Sequence, residues 1–506
     1  MNRKEKYTEE AGLEHRKDFA QFFTPPKIAK FMVDWVLGGK GENAVHDPAF
    51  GLGAFFEAAP ESCKFTGTEI DKTIFDFFKA NAERQPSELK LADYLLDFGR
   101  TIPNIVCNPP YLRFQRFSNR DEVIERFEKE LGVKISGYTN IASAFLMKSI
   151  SELSPDGRLS YIMPSEFLNT GYGSIIKDWL IRDRHLDSII EIECEKEAFD
   201  DVITSVCIVF YDAYRKIDSV SFRKVTSLAE LDDVMNRSPI SAVPVSDLDI
   251  KKKWGIFFTS EDERVHLDEG KLQSLSEYGR FSRGIATGNN GFFVKTKNEV
   301  KELGLGKDVI PCITQSKQMS SLVFNEEDWQ KLSADGAPVY LFSPRFPLDK
   351  NASKYIEDGE HTGQNNGYIT RHRSPWYKTE DRDVPPIILN VFSRDGYKVI
   401  RNYSSARTLT CFHCFYPESD KYVDWIFLYL HSEVGRKIVS LSKRKYGNSL
   451  DKYEPNDLNN SLVPKPSFFD SIGDKTLHKL MKKIKEGKDV GPELQNLFSP
   501  LVVLDD

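Results

Sequence analysis

The stretch Ala44-Val45-His46-Asp47-Pro48-Ala49-Phe50-Gly51-Leu52-Gly53-Ala54-Phe55 decides the fold. A short apolar run ends in an acidic residue, turns on two glycines and enters a second apolar segment. That reads as strand, turn, helix. In an open α/β sheet such a turn lies at the carboxyl end of a strand, where ligands bind. Glycine there lets a ligand approach the backbone closely. Only Gly51-x-Gly53 is present, not the three-glycine dinucleotide fingerprint. Alone, it describes a tight turn as well as a site.

Working outward, strands are expected at residues 43–46, 63–68, 104–107, 158–163, 188–192 and 205–211. Helical patterns fall between them at 26–37, 72–83, 141–153 and 173–182. This alternation predicts an α/β domain with a mainly parallel sheet covered on both faces. After about Tyr214 the pattern changes. Residues 215–260 read as a connector with short strands. Beyond them come short β-like runs, with late helices at 422–441 and 475–485, a mixed α+β pattern. The expected domains are therefore 1–250 and 251–506.

Composition fits this division. Of 506 residues, 40% are hydrophobic and 29% charged, an ordinary globular balance. No stretch approaches the roughly 20 apolar residues of a membrane helix. The charged segment 1–14 is no secretory signal. Seven scattered cysteines argue against a disulfide framework and for a reducing cytosol. The net charge of -7 is uneven: residues 1–250 carry 31 Lys+Arg against 41 Asp+Glu, and 251–506 carry 38 against 35. The second half is the better candidate to meet a polyanion.

Three features belong with the glycine turn. Glu69 closes the second expected strand, where nucleotide folds place a carboxylate that accepts both ribose hydroxyls. Asp93, after the next apolar segment, can accept a hydrogen bond from an adenine amino group. Upstream, Phe22-Phe23-Thr24-Pro25-Pro26 leads into a helix, with Thr24 expected as N-cap and Pro25 as first helical residue. Free amides at such a terminus can hold a carboxylate.

The chemistry is concentrated in Ile105-Val106-Cys107-Asn108-Pro109-Pro110-Tyr111. As plain structure, two prolines terminate a strand. As chemistry, an amino group conjugated to a purine is a poor nucleophile. If an amide oxygen and a backbone carbonyl accept its two hydrogens, the nitrogen can become tetrahedral and expose its lone pair. Asn108 supplies the first acceptor and Pro109 the second. Pro109 and Pro110 fix the loop and remove competing donors. Tyr111 offers a stacking face to a base taken out of its helix. Amino methylation needs no covalent enzyme intermediate, so Cys107 reads as a buried strand residue.

The order Thr24-Pro25-Pro26, Asp47-Pro-Ala-Phe-Gly, Glu69, Asp93 and Asn108-Pro-Pro-Tyr111 resembles the gamma-class, TaqI-like DNA adenine-N6 methyltransferases of restriction–modification systems. The match continues through Ala144-Phe145, Pro164-Ser165 and Phe199 to Phe210. The C-terminal half resembles that family's target-recognition domain. It carries Arg283-Gly284-Ile285, Arg373-Ser374-Pro375-Trp376-Tyr377, and Lys443-Arg444-Lys445-Tyr446 running on to Tyr453-Glu454-Pro455.

The resemblance implies a Rossmann-like methyltransferase sheet that uses S-adenosyl-L-methionine, followed by a mixed α+β target-recognition domain. Thr24, Asp47, Ala49, Gly51, Glu69, Ile70, Asp93 and Asn108 would form the cofactor site. Asn108, Pro109, Pro110 and Tyr111 would hold the adenine, with Phe199 against the flipped base. The basic-aromatic groups, Arg283, Arg373, Trp376, Arg444, Lys445 and Tyr446, would meet DNA. The implied protein is a cytoplasmic monomer acting on double-stranded DNA at the site of a cognate restriction endonuclease. The 23 residues before Thr24 leave no room for an N-terminal nuclease.

Cys411, His413 and Cys414 lack a second pair at zinc-finger spacing, so no metal is expected. Rival readings are cytosine-N4 methylation, methylation of protein glutamine or RNA, and a DNA-binding defence component with a decayed methylase. The long second half disfavours glutamine or RNA as substrate. Intact Glu69 and Asn108 to Tyr111 disfavour decay.

Overall fold

The structure is a computed structural model that describes residues 3–112, 119–135, 140–171, 173–194, 205–260, 267–393, 396–440, 444–446 and 450–502. The chain divides into two compact units, Met1–Arg264 with Lys445–Ser449, and Val265–Arg444 with Leu450–Asp506. The first unit thus runs some way past the expected boundary near residue 250. Among the described residues no helix is long and apolar enough to cross a membrane.

The first unit is built on nine strands: β1 (Ala44–Asp47), β2 (Lys64–Glu69), β3 (Glu88–Leu91), β4 (Ile102–Cys107), β5 (Leu153–Pro164), β6 (Leu186–Ile192), β7 (Val206–Asp212), β8 (Ser219–Val225) and β9 (Ser241–Pro244). They lie in the order β3-β2-β1-β4-β5-β7-β6-β8-β9. The pairs from β3 to β5 are all parallel. β7 runs antiparallel to both β5 and β6. From β1 the chain steps outward to β2 and β3, then crosses back to place β4 on the other side of β1. That reversal is a topological switch point, the place where open α/β sheets bind ligands.

Both faces of the sheet are covered, which is why its strands read as apolar runs. Among the described residues eight helices belong to this unit: α1 (Arg3–Ala11), α2 (Leu13–Asp18), α3 (Pro26–Leu37), α4 (Ala54–Ala58), α5 (Lys72–Asn81), α6 (Arg120–Leu131), α7 (Ile141–Glu152) and α8 (Gly173–Ile181). Side chains alternate across β4. Ile105 and Cys107 join the core under α6, α7 and α8, and Val106 joins the core under α3 and α4.

Cys107 is fully buried and burial raises its thiol pKa, in keeping with a strand-interior role. β3 was not expected, because three of its four residues are exposed and no apolar alternation marks it. The connector 215–260 contributes β8 and β9 to the same sheet.

The second unit is mixed α+β. Gly279–Arg283, Phe412–Pro417, Ile387–Asn390, Val399–Asn402 and Val323–Phe324 form one sheet in that order. A four-stranded sheet and a two-stranded one, Leu272–Ser274 with Leu462–Pro464, also belong to it. The single late helix expected over 422–441 is two, Val423–His431 and Glu433–Ser440. Ser432 makes the break. Its N–H donates to Leu428 O at 3.0 Å, and its Oγ accepts the Gly435 N–H at 3.1 Å, capping the next helix.

Candidate active site

A cleft opens at the carboxyl ends of β1, β2 and β4, the edge of an open α/β sheet where ligands bind. The glycine turn after β1 forms one wall. Asp47 is buried, and its carboxylate accepts the Ala49 N–H at 3.1 Å. Burial pushes the Asp47 carboxyl well above its ordinary pKa. Asp47 shapes the turn from beneath, and Pro48, Ala49 and Gly51 face the cleft. Gly51 takes φ 56, a left-handed conformation that favours glycine. Its N–H donates to Glu69 Oε2 at 2.7 Å.

Glu69 and Ile70 line the cleft at the end of β2. Glu69 Oε1 accepts from the N–H groups of Ile70 and Asp71, both at 2.9 Å. Burial raises the Glu69 pKa to about 7, outweighing the three backbone donors that lower it. Asp93 lines the third side. One of its oxygens accepts the Leu95 N–H at 3.0 Å and the other accepts from Asn119 Nδ2 at 3.0 Å. Tyr94 and Phe145 complete that wall. Behind Tyr94, the buried Lys148 ammonium lies 3.8 Å from the ring centroid and pairs with Glu152. Burial lowers Lys148 to about 8.

The floor is Asn108. Its Nδ2 donates to the Phe22 carbonyl at 2.8 Å and to Thr24 Oγ1 at 3.1 Å. A carbonyl can only accept, so the Phe22 contact fixes which end of the amide faces it. Both amide hydrogens are used, and Oδ1 is buried without a hydrogen-bond partner. Thr24 is therefore not the N-cap expected of it. Pro25 is the cap, Pro26 is the first helical residue, and no side chain caps the helix. Two consecutive prolines move the helix start one residue along and leave the Thr24 hydroxyl for Asn108.

Pro110 lines the cleft and Pro109 is buried beside it. Tyr111 stacks on Phe22, with centroids 5.7 Å apart and planes at 29°. Its hydroxyl is buried without a partner, and burial raises its pKa.

Six expected cofactor residues, Ala49, Gly51, Glu69, Ile70, Asp93 and Asn108, meet in this one cleft. Thr24 and Asp47 support it from behind. Phe199 lies outside the described residues. Sequence reasoning did not assign cleft roles to residues 19–23, Ile74 or Tyr94, which also line it. The available signal was the apolar Phe22-Phe23 pair directly before Thr24.

The expected DNA-contact residues are dispersed. Arg283 pairs with Glu454 at 2.9 Å, its own side chain 63% exposed. Burial opposes ionisation of Glu454, but Lys452 and Arg283 outweigh it and hold the carboxyl at about 2. Arg373 donates to the carbonyls of Ala286 and Thr287. Trp376 packs on Phe292 and donates to Glu360 at 2.8 Å. Arg444, Lys445 and Tyr446 form a short strand, Arg444–Tyr446, and their side chains lie outside the described set. Cys411, His413 and Cys414 each contact a different group: Thr314 O, Tyr453 O and Thr408 Oγ1.

Comparison with known proteins gives one consistent family. The Eco57I restriction-modification methylase family matches residues 74–199. The C-terminal domain of the type II methyltransferase M.Eco57I matches residues 251–495. The chain is 36% identical over 475 residues to the type II methyltransferase M.AccI of Acinetobacter calcoaceticus, covering 90% of this chain and 87% of that one. It is 22% identical over 463 residues to M.XamI of Xanthomonas campestris pv. amaranthicola, covering 87% and 84%. Among solved structures, the type IIL restriction-modification enzyme MmeI in complex with DNA superposes with a TM-score of 0.57 at 11% identity, over 95% of this chain and 68% of that one. At that identity the superposition speaks for the fold.

Proposed function

The chain belongs to the gamma-class DNA methyltransferases of restriction–modification systems, and from that premise we propose that it methylates N6 of an adenine flipped out of double-stranded DNA. The observation that carries this reading is the Asn108 amide. Its hydrogens are committed to Phe22 and Thr24, which leaves Oδ1 of this cleft-lining residue buried with no partner of its own. A buried polar atom without a partner costs free energy unless a ligand supplies the bond. An amino hydrogen of the target base supplies it.

The cleft fits S-adenosyl-L-methionine. Glu69 presents a carboxylate where ribose hydroxyls would donate, Asp93 lies where an adenine amino group would donate, and Tyr94 and Phe145 offer apolar faces. When bound, the cofactor contributes a methyl group activated on a sulfonium. The protein's own work is positional. Asn108 Oδ1 and the Pro109 carbonyl accept the two hydrogens of the base amino group, so the nitrogen lone pair leaves conjugation and points into the cleft. Pro109 and Pro110 hold that geometry without rearrangement. Tyr111 covers the base.

The second unit contacts DNA and sets the sequence, with Arg283 and Arg444 as candidates, joined by Lys445 and Tyr446, which group with the first unit. The chain acts as a monomer, and the modification protects DNA from a cognate endonuclease. The test is mass spectrometry of nucleosides from DNA incubated with the protein and S-adenosyl-L-methionine. N6-methyladenine is the expected product. N4-methylcytosine instead would move the protein to the other amino-methylating specificity and overturn the adenine assignment.

A further inference from the structure

Residues 19–23 cross the cleft as a strap between α2 and α3 and supply five of its lining residues. Ala20 in the strap holds φ 46, a left-handed conformation that a residue with a Cβ keeps only where its surroundings over-determine it. The surroundings here are a buried hydrogen-bond cluster. Gln21 Nε2 donates to Asp71 Oδ2 at 2.6 Å, and Gln21 Oε1 accepts from the Tyr7 hydroxyl at 3.0 Å. His15 Nε2 lies 2.8 Å from the same Asp71 oxygen. Tyr7 and Asp71 are both buried.

Asp71 also connects to the cofactor end of the site. Its Oδ1 caps α5 through the Thr73 N–H at 2.9 Å, and its own N–H donates to Glu69 Oε1. At the other end of the strap, Phe22 supports two members of the catalytic loop. Its carbonyl orients Asn108 and its ring backs Tyr111. A continuous path of bonds and contacts therefore runs Glu69, Asp71, Gln21, Phe22, then Asn108 and Tyr111.

We propose that Phe22 is a positioning residue for methyl transfer, latched through Gln21 to Asp71, so that cofactor in the cleft sets Asn108 and Tyr111 before a base arrives. The proposal rests on the adenine-N6 reading above and adds how the two halves of the site are coupled. A cofactor that occupies the cleft touches the strap on one side and Glu69 on the other. Contact with both ends orders the path between them. The Asn108 oxygen is then aimed in advance, and the arriving base meets an acceptor that need not reorganise. Coupling of this kind is reciprocal: bound DNA tightens cofactor binding by the same factor.

The test uses the full chain, S-adenosylhomocysteine as a cofactor probe that cannot donate a methyl, and a duplex bearing 2-aminopurine beside the target adenine, which keeps the 6-amino group that Asn108 would accept. DNA dissociation constants and 2-aminopurine fluorescence are measured with and without the probe. In the wild type the probe should tighten DNA binding about tenfold and brighten the 2-aminopurine as its neighbour leaves the stack, within the usual range of site–site couplings.

Asp71→Asn keeps an N-cap acceptor for α5 but turns an amide donor toward the Gln21 amide. The coupling should fall to about twofold or less while the unfolding midpoint stays close to wild type. Phe22→Ala keeps the backbone carbonyl but removes the ring behind Tyr111 and should show the same loss, and Phe22→Tyr, which returns the ring, should restore the coupling. A purely structural role for Asp71 or Phe22 would move the midpoint and leave the coupling ratio intact. Wild-type coupling in both Asp71→Asn and Phe22→Ala, or no coupling in the wild type, overturns the proposal. Failure of the wild type to methylate adenine, read separately from nucleoside composition, overturns the reading beneath it.

Discussion

Glu69 carries a pH dependence that follows from where it sits. Burial holds its pKa at about 7, so the carboxyl is neutral below that value and ionised above it. A neutral carboxyl has lost acceptor capacity, and in the proposed role that capacity is what would hold the ribose hydroxyls. Affinity for S-adenosylhomocysteine should therefore fall as pH drops below about 7, by up to about tenfold per pH unit. Glu69→Gln should bind more weakly and flatten the profile. Calorimetry at pH 5.5 to 8.5 checks this, and a flat wild-type profile contradicts it.

Tyr111 separates stacking from hydrogen bonding. Its buried hydroxyl has no partner, so Tyr111→Phe should keep most activity and gain about 1 kcal/mol of stability, the lower end of the cost of an unsatisfied buried group. Tyr111→Ala loses an aromatic face worth about 1–3 kcal/mol per base and should slow transfer by roughly one to two orders of magnitude. A mismatched target, cheaper to flip, should partly rescue it. Equal damage from Phe and Ala would show that the hydroxyl matters. At this scale Glu69, Asp93 and Asn108 were legible because their residue types announce their chemistry. Thr24 was placed in the site, but its hydroxyl's partner lies 84 residues away in sequence. No local pattern encodes that contact.

Elements were legible where periodicity and packing agree. The helix Pro26–Leu37 spans the residues its apolar spacing predicts, with its cap at Pro25 rather than the expected Thr24. β7, buried along its whole length, announced itself as an unbroken apolar run. β3 did not, since an exposed edge strand carries no apolar signature. The break at Ser432 coincides with a polar run, His431-Ser432-Glu433, that the apolar residues on either side masked. β2 offers an element-level test. A Cβ on Gly67 would lie 2.3 Å from the Phe50 ring, and Phe50 sits in the turn that brings the Gly51 N–H to Glu69. Gly67→Ala should cost roughly 1–3 kcal/mol and weaken cofactor binding together with stability. Thermal unfolding with and without S-adenosylhomocysteine measures both effects; an unchanged midpoint would show that Phe50 moves aside freely.

At the scale of the molecule, the division into an α/β unit and a mixed α+β unit was readable from the change of pattern after Tyr214, although residues 215–260 belong to the first unit. What the second unit does with its cations was less readable, because a basic residue looks the same in sequence whether it faces a phosphate or its own backbone. Arg373 faces its own backbone, holding the Ala286 and Thr287 carbonyls. Arg373→Ala should destabilise the protein by about 2 kcal/mol and leave the salt dependence of DNA binding unchanged. A shallower salt slope would identify a phosphate contact instead.

The central claim is that the unpaired Asn108 oxygen prepares an adenine amino group for methylation. Modified-base sequencing of DNA from cells expressing the wild type or Asn108→Ala tests it most directly, with S-adenosylhomocysteine affinity of both proteins as control. The account predicts N6-methyladenine within one recurring motif for the wild type, its loss in the variant, and similar cofactor affinity for the two. Modified cytosine in the motif, or adenine modification that persists in Asn108→Ala, would contradict it.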